Sequence, residues 1–166
     1  LEASGRLDRE LEFLPSDEDL AERALVNRSL TRPELAILVS YSKAALKEAL
    51  SESALEQDPT LAEAAATAFP PRLVERFPAD VAAHRLRREI TCTQVANDMV
   101  NRMGPNFVTR QQRATGAPVA DVARAWTAAM AIYGVGGRWD AIEALDYRLE
   151  AALQHEMMLD VVRLVK

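Results

Sequence analysis

The side chains best suited to binding or catalysis in this sequence lie between positions 84 and 113. This stretch carries six arginines against two acidic residues, a local charge of +4, which leaves −9 for the rest of a chain whose net charge is −5. Guanidinium and amide groups together suit a nucleic-acid reading helix, a site for an anionic effector, or a polar network buried between helices. The candidate residues are Arg85, Arg88, Glu89, Asn97, Asn101 and Arg102.

The spacing of the apolar residues predicts which side of this helix is buried. At about 100° per residue, one side collects Leu86, Ile90, Thr93, Asn97, Val100 and Asn101. Cys92, Ala96, Met99 and Met103 extend this side into a wide apolar arc, which is typical of a central helix with several neighbours. The opposite side is predicted to hold Arg87, Thr91, Asp98 and Arg102. Asn97 is therefore expected in a buried seam, where a polar residue can fix the register between helices. Arg85 and Glu89 have the i,i+4 spacing of a helical ion pair.

Two alternatives to a buried network differ in how well they fit these residues. An effector or interface contact through Arg85, Arg88 or Arg102 stays open. Recognition of nucleic acid is disfavoured, because the asparagines lie with the apolar residues and the arginines are spread around the helix. The chain is also acidic and has only three lysines, so neither nucleic acid nor a membrane surface is an expected partner.

Other patterns resemble catalytic or cofactor sites, but the sequence around them does not support such sites. The GVGGR run at 134–138 follows a helix rather than a strand, so it does not predict a dinucleotide-binding turn. Gly134 is instead predicted to stop a helix, and Gly136 and Gly137 to form a flexible link. Lys43 lies in mid-helix with no visible group to activate it. The two histidines are far apart in sequence, so no metal site is predicted.

The elements that must position these residues are predicted to be helices. The chain has 166 residues, is 49% hydrophobic and only 5% aromatic, and lacks the alternating patterns of strands. Thr31, Pro33 and Glu34 mark a helix start through a capping box, and Asp58-Pro59 marks another. Helices are expected at about 17–26, from Thr31 onward, and at about 59–68, 79–103, 106–114, 118–133, 137–145 and 148–166, with one or two helical turns at 69–78. The prediction is one compact all-α domain, 1–166, around a long central helix at about 79–103.

The cysteine content and the two ends of the chain predict the cellular compartment and whether the chain is a fragment. One cysteine, Cys92, allows no intrachain disulfide, and no run of about 18 apolar residues could span a bilayer. These features favour a reduced, cytoplasmic setting. The chain starts without methionine, and its last helical pattern runs to the end without a stop signal. We therefore expect a fragment of a longer polypeptide.

Five segments in fixed order resemble one family. They are LDRELEFLPSDEDLAER at 7–23, RSLTRPELAILVSYSK at 28–43, FPPRLVERF at 69–77, HRLRREITCTQVANDMVNRMGPNFV at 84–108 and DVARAW at 121–126. Together they resemble the C-terminal helical region of the large bacterial NAD-specific glutamate dehydrogenases, over nearly the whole chain. The segments LTRPELA and LRREI…ANDMVNRMGPNFV are the most specific.

The resemblance implies a parent enzyme many times longer than this chain. Such an enzyme converts L-glutamate, NAD and water into 2-oxoglutarate, ammonium and NADH, and its NAD domain and catalytic Lys and Asp lie upstream of this region. No catalytic, cofactor-binding or metal residue is then expected within 1–166. The implied partners are the upstream catalytic region and further copies of the parent in a homo-oligomer. The implied role is structural, oligomerising or allosteric; a stand-alone helical interaction module and an effector-binding domain are the alternatives.

Overall fold

The computed structural model describes residues 1–53, 61 and 63–165, and within them it contains nine α-helices and no strand. The all-α prediction is therefore confirmed. The helices are α1 (Asp17–Leu25), α2 (Arg32–Ser51), α3 (Pro71–Arg76), α4 (Pro78–Ala82), α5 (Arg87–Met103), α6 (Phe107–Thr115), α7 (Val119–Ile132), α8 (Val135–Glu143) and α9 (Ala151–Val165). Short 3₁₀ helices lie at Glu2–Ser4 and Ala64–Ala68. The cap predicted at Asp58-Pro59 falls outside the described residues.

Helix α5 is the centre of the fold. It packs most extensively against α2 and against the 3₁₀ helix at Ala64–Ala68, while α7 links this layer to α8 and α9. The fully buried side chains include Leu50 of α2 and Cys92 and Met99 of α5. Each such apolar side chain contributes roughly 1.5–3 kcal/mol through its removal from water. The contact between α2 and α5 is therefore the main source of cohesion in the described fold.

The central helix is shorter than predicted. It begins at Arg87 rather than near position 79, because residues 83–86 separate it from the short helix α4. In this break the Nδ1 atom of His84 accepts a hydrogen bond from the backbone N–H of Leu86, at 3.1 Å. The His84 ring also packs on Phe69, with ring centroids 5.5 Å apart. A side chain that binds a nearby backbone N–H competes with the helical hydrogen-bond pattern, and here it gives α5 a separate start.

Several helix boundaries lie at glycines with positive φ, and two of them bear on the predictions. Gly134 has φ 57° and ends α7, as predicted. Gly136 and Gly137, however, lie in the first turn of α8 and do not form a flexible link. The reason is that Val135, which is fully buried, anchors the start of that helix in the core. Gly104 ends α5 with φ 85° and ψ 162°, a backbone conformation that is essentially restricted to glycine.

Candidate functional site

The N-terminus of α2 is a polar junction between two helices. The predicted capping box is present: the Thr31 side chain accepts a hydrogen bond from the Glu34 N–H, and the Glu34 carboxylate accepts one from the Thr31 N–H. Arg23 of α1 donates to both Glu34 oxygens, at 3.0 and 2.9 Å. This guanidinium, together with the Thr31 N–H, lowers the pKa of Glu34 to about 2. The carboxylate therefore caps α2 and holds α1 against it.

The first sixteen residues are held to the helices by polar contacts that the sequence did not indicate. The Tyr41 hydroxyl donates to the Glu12 carboxylate at 2.5 Å, and this bond raises the pKa of Tyr41. Arg9 pairs with Glu2 and with Asp17 at the start of α1. These partners are separated by 7 to 29 positions, so no local sequence pattern joins them. As a result, residues 1–16 lie along the side of α2.

An apolar groove opens between α2 and α6, and we call it the α2–α6 groove. Its volume is about 650 Å³. One wall is formed by Leu35, Leu38, Val39 and Ser42 of α2, and the other by Pro105, Asn106, Thr109 and Gln112. Leu46, Val100 and Val108 are the buried residues of its lining that lie between the walls, and Leu1, Glu2 and Leu7 contribute from the N-terminal segment. A groove of this kind can receive an apolar ligand or a helix.

The groove exists because α2 is only partly covered. The pattern of α2 predicts an inner face of Leu35, Leu38, Val39, Ser42, Leu46 and Ala49, yet only Leu46 of these is buried. Leu35 is 45% exposed. The second half of α2 packs on α5. The apolar face continues along the first half of α2, where it extends beyond the core.

Arg88 binds the C-terminal end of α2. Its guanidinium donates to the carbonyl of Ser51 and, at 3.3 Å, to the carbonyl of Ser53. The last carbonyls of a helix have no partner within the helix, so a cation there satisfies them and offsets the negative end of the helix dipole. The side chain thus joins α5 to α2 in a structural contact.

Arg102 is held at the other end of α5. It lies 3.6 Å from Asp98 and stacks over the Trp139 ring, 5.4 Å from its centroid. It therefore links α5 to α8 through a cation–π contact. Arg88 and Arg102 are fourteen positions apart on one helix, which is roughly 21 Å at 1.5 Å per residue. The two cannot bind the same small effector.

The remaining predicted pair, Arg85 and Glu89, does not form as expected. Arg85 precedes the start of α5, so the i,i+4 geometry of a helix is lost, and no ion pair joins the two among the described residues. Both side chains are exposed, as is Leu86 at 50%. The i,i+4 spacing of Arg85 and Glu89 brings them together only in a continuous helix, and positions 83–86 interrupt it.

The asparagines of α5 do not lie in a buried seam. Asn97 is half-buried and Asn101 is exposed, and neither side-chain amide makes a hydrogen bond within the part of the chain that is described. Thr91, which was predicted on the outer side, is 2% exposed. The most buried residue nearby, Met99, follows Asn97 by two positions, about 200° around the helix. The buried side is therefore nearly opposite Asn97, so both amides are available to a partner.

Two features are absent from the described residues. These residues contain no group of three or more His, Cys, Asp or Glu side chains placed to hold a metal ion. In the same part of the chain, no helix has the length and apolar character needed to cross a membrane. The α2–α6 groove and the amides of Asn97 and Asn101 remain candidate binding features of the described chain.

Comparison with known proteins places the chain in a family. Residues 27–166 match the family model described as glutamate dehydrogenase, C-terminal. The chain is 47% identical over all of its 166 residues to an NAD-specific glutamate dehydrogenase of Halomonas elongata. It is 47% identical over 164 residues to that of Pseudomonas aeruginosa and 37% identical over 165 residues to that of Mycobacterium tuberculosis.

The extent of these matches is uneven. They cover 99–100% of this chain but only 10% of each relative, so the chain spans about a tenth of the length of the curated relatives it matches. The family model covers both walls of the α2–α6 groove and all of α5. The resemblance drawn from the five sequence segments is confirmed: the chain belongs to the glutamate dehydrogenase C-terminal family.

Proposed function

We propose that this chain is the C-terminal helical domain of a large NAD-specific glutamate dehydrogenase. The parent reaction is the conversion of L-glutamate, NAD and water to 2-oxoglutarate, ammonium and NADH. The observation that carries this proposal is the end-to-end match to one tenth of relatives that bear that name. In this proposal NAD binds outside residues 1–166, and the parent works in the cytoplasm.

Within the parent, the domain has a structural role. It packs against the upstream catalytic region of the same polypeptide and contributes to a homo-oligomer, through which an allosteric signal can pass. Arg88 and Arg102 support a structural rather than an effector role, since each already joins α5 to another helix. The domain takes no part in binding nucleic acid or membrane.

The test is an immunocapture from source cells with an antibody raised against this chain. The captured polypeptide is sized under denaturing conditions, and the native capture is assayed for glutamate-dependent reduction of NAD. A polypeptide roughly ten times longer than 166 residues, with that activity, is the expected result. Capture with the antibody pre-saturated by the purified chain should remove both the band and the activity. A captured species near 18.3 kDa without activity would refute the proposal.

A further inference from the structure

The first half of α2 is built like a core helix but lacks a partner on one side. A helix of 20 residues is about 30 Å long, and α2 has buried residues only at Leu46 and Leu50. Leu38 and Val39 are half-buried and Leu35 is 45% exposed, although all three continue the face that packs on α5. The apolar face of α2 thus extends beyond the helices that the described chain supplies to cover it.

The lining of the α2–α6 groove indicates the chemistry of what fills it. Its central residues are apolar, and the rim offers the hydroxyls of Ser42 and Thr109 and the amides of Asn106 and Gln112. Among the residues that the structure describes, Glu2 is the one charged side chain in the lining, and no Arg, Lys or His side chain is present there. A carboxylate or phosphate effector would find no counter-charge. An amphipathic helix with an uncharged apolar stripe would bury that stripe and meet a polar rim.

The concave shape of the groove and the length of the relatives indicate where that helix comes from. A second copy of the chain is disfavoured, because a twofold contact places the same surface on both sides and two concave grooves cannot fill each other. The chain spans a tenth of its relatives, so nine tenths of such a polypeptide lies outside it. We propose that the α2–α6 groove seats an amphipathic helix from the catalytic part of the same polypeptide; this rests on the proposed function.

The test uses the full-length polypeptide with two single substitutions, Leu35→Cys in the groove and Ser40→Cys as the matched control. Positions 35 and 40 are on the same helix, about 140° apart, and both side chains are exposed in the described chain. The native Cys92 is fully buried and does not compete. Labelling with a thiol reagent is followed peptide by peptide in mass spectrometry. The thiol introduced at position 35 is expected to react more than about tenfold slower than that at position 40, because thiol reactivity follows exposure.

A photoreactive crosslinker attached at position 35 then identifies the occupant. Crosslinks to residues outside this domain, in a product that migrates as one polypeptide and does not change on dilution, are the expected result. Equal labelling of the two thiols would overturn the groove proposal. A crosslinked product of twice the mass would also overturn it, since the occupant would be a second copy, and a crosslink to a different protein would do the same.

The two proposals fail in different ways. If the captured polypeptide is short and inactive, the proposed function is wrong and the groove has no covalently linked partner. If it is long and active but the introduced thiols react at the same rate, the proposed function stands and only the groove proposal is refuted. As a second measurement, Leu35→Asp is expected to expose the domain to limited proteolysis within the full-length polypeptide, whereas Ser40→Asp leaves the digestion pattern unchanged.

Discussion

Tyr147 is a residue whose replacement is expected to stabilise the protein. It has φ 60° in the turn between α8 and α9, and its side chain is 103% exposed. The left-handed region costs a non-glycine residue roughly 1–2 kcal/mol, and bulky side chains tolerate it least. Full exposure means that the aromatic ring makes no packing contact to offset this cost. The strain at Tyr147 is therefore removable.

The chosen substitution is Tyr147→Asn. Asparagine accepts the left-handed conformation through local hydrogen bonding, and it avoids the extra unfolded-state entropy of glycine. We expect the free energy of unfolding to rise by about 0.5–1 kcal/mol, since asparagine relieves part of the penalty. For a chain of this length, the midpoint of thermal unfolding should rise by about 1–4 °C. Urea unfolding followed by circular dichroism measures the change.

The matched control is Tyr133→Asn. Tyr133 is a tyrosine that follows the end of α7 and is 45% exposed, but its φ is −89°. With no left-handed strain to relieve, this variant should be neutral or slightly less stable than the natural chain. The reasoning is refuted if Tyr147→Asn fails to stabilise, or if both variants gain the same amount.

Four further substitutions test other parts of the structure. Thr31→Ala removes the α2 cap and should lower the free energy of unfolding by about 1 kcal/mol in a urea melt; an unchanged melt would show that the cap does not contribute. Glu34 has a folded-state pKa of about 2 against an ordinary 4.5, so its contribution is present above pH 4.5 and is lost as the pH falls towards 2. Glu34→Gln should therefore be less stable than the natural chain at pH 7, with the difference closing over that window; a constant difference would contradict the assignment. Asn97→Ala should change stability by less than about 0.5 kcal/mol, since its amide has no partner among the described residues, and a loss above about 1 kcal/mol would restore a buried role. Phe13→Asn should stabilise like Tyr147→Asn, because Phe13 has φ 52° and is 92% exposed; destabilisation would reveal a contact of the ring.

Local chemistry in the sequence predicted the helix ends well. The capping box of Thr31 and Glu34 acts over three residues, and Gly134 needs only its own backbone freedom. Such signals are complete within a short window, so they can be read without knowledge of the fold. The break before α5 was missed because a histidine at position 84 is compatible with a helix, and only the hydrogen bond to the Leu86 N–H reveals the competing structure.

The candidate site was harder to predict because it depends on which helices meet. Helix α5 has polar residues on most sides, so its periodicity predicted only a wide apolar arc. The structure buries the part of that arc around Cys92, Ala96, Met99 and Met103, whereas the part that holds Asn97 is not fully buried. The groove was hard to predict for a related reason, because an apolar face does not reveal which of its residues stay uncovered. The sequence pattern of α2 shows an apolar face, but it does not show whether another helix covers that face, and in the described chain Leu35 is left exposed.

Gly104 has a consequence for the handedness of the backbone. Its φ of 85° and ψ of 162° are the mirror image of an extended conformation that L-residues adopt freely. The Cβ atom of an L-residue placed there would meet nothing within 4 Å, so backbone conformation rather than a neighbouring atom disfavours an L-residue. Because D-residues have mirror-image backbone preferences, the backbone conformation at the junction between α5 and α6 suits a D-residue, whereas every L-residue is strained there. The handedness of the natural amino acids therefore favours glycine at this position, and a D-residue can be placed there only by chemical synthesis.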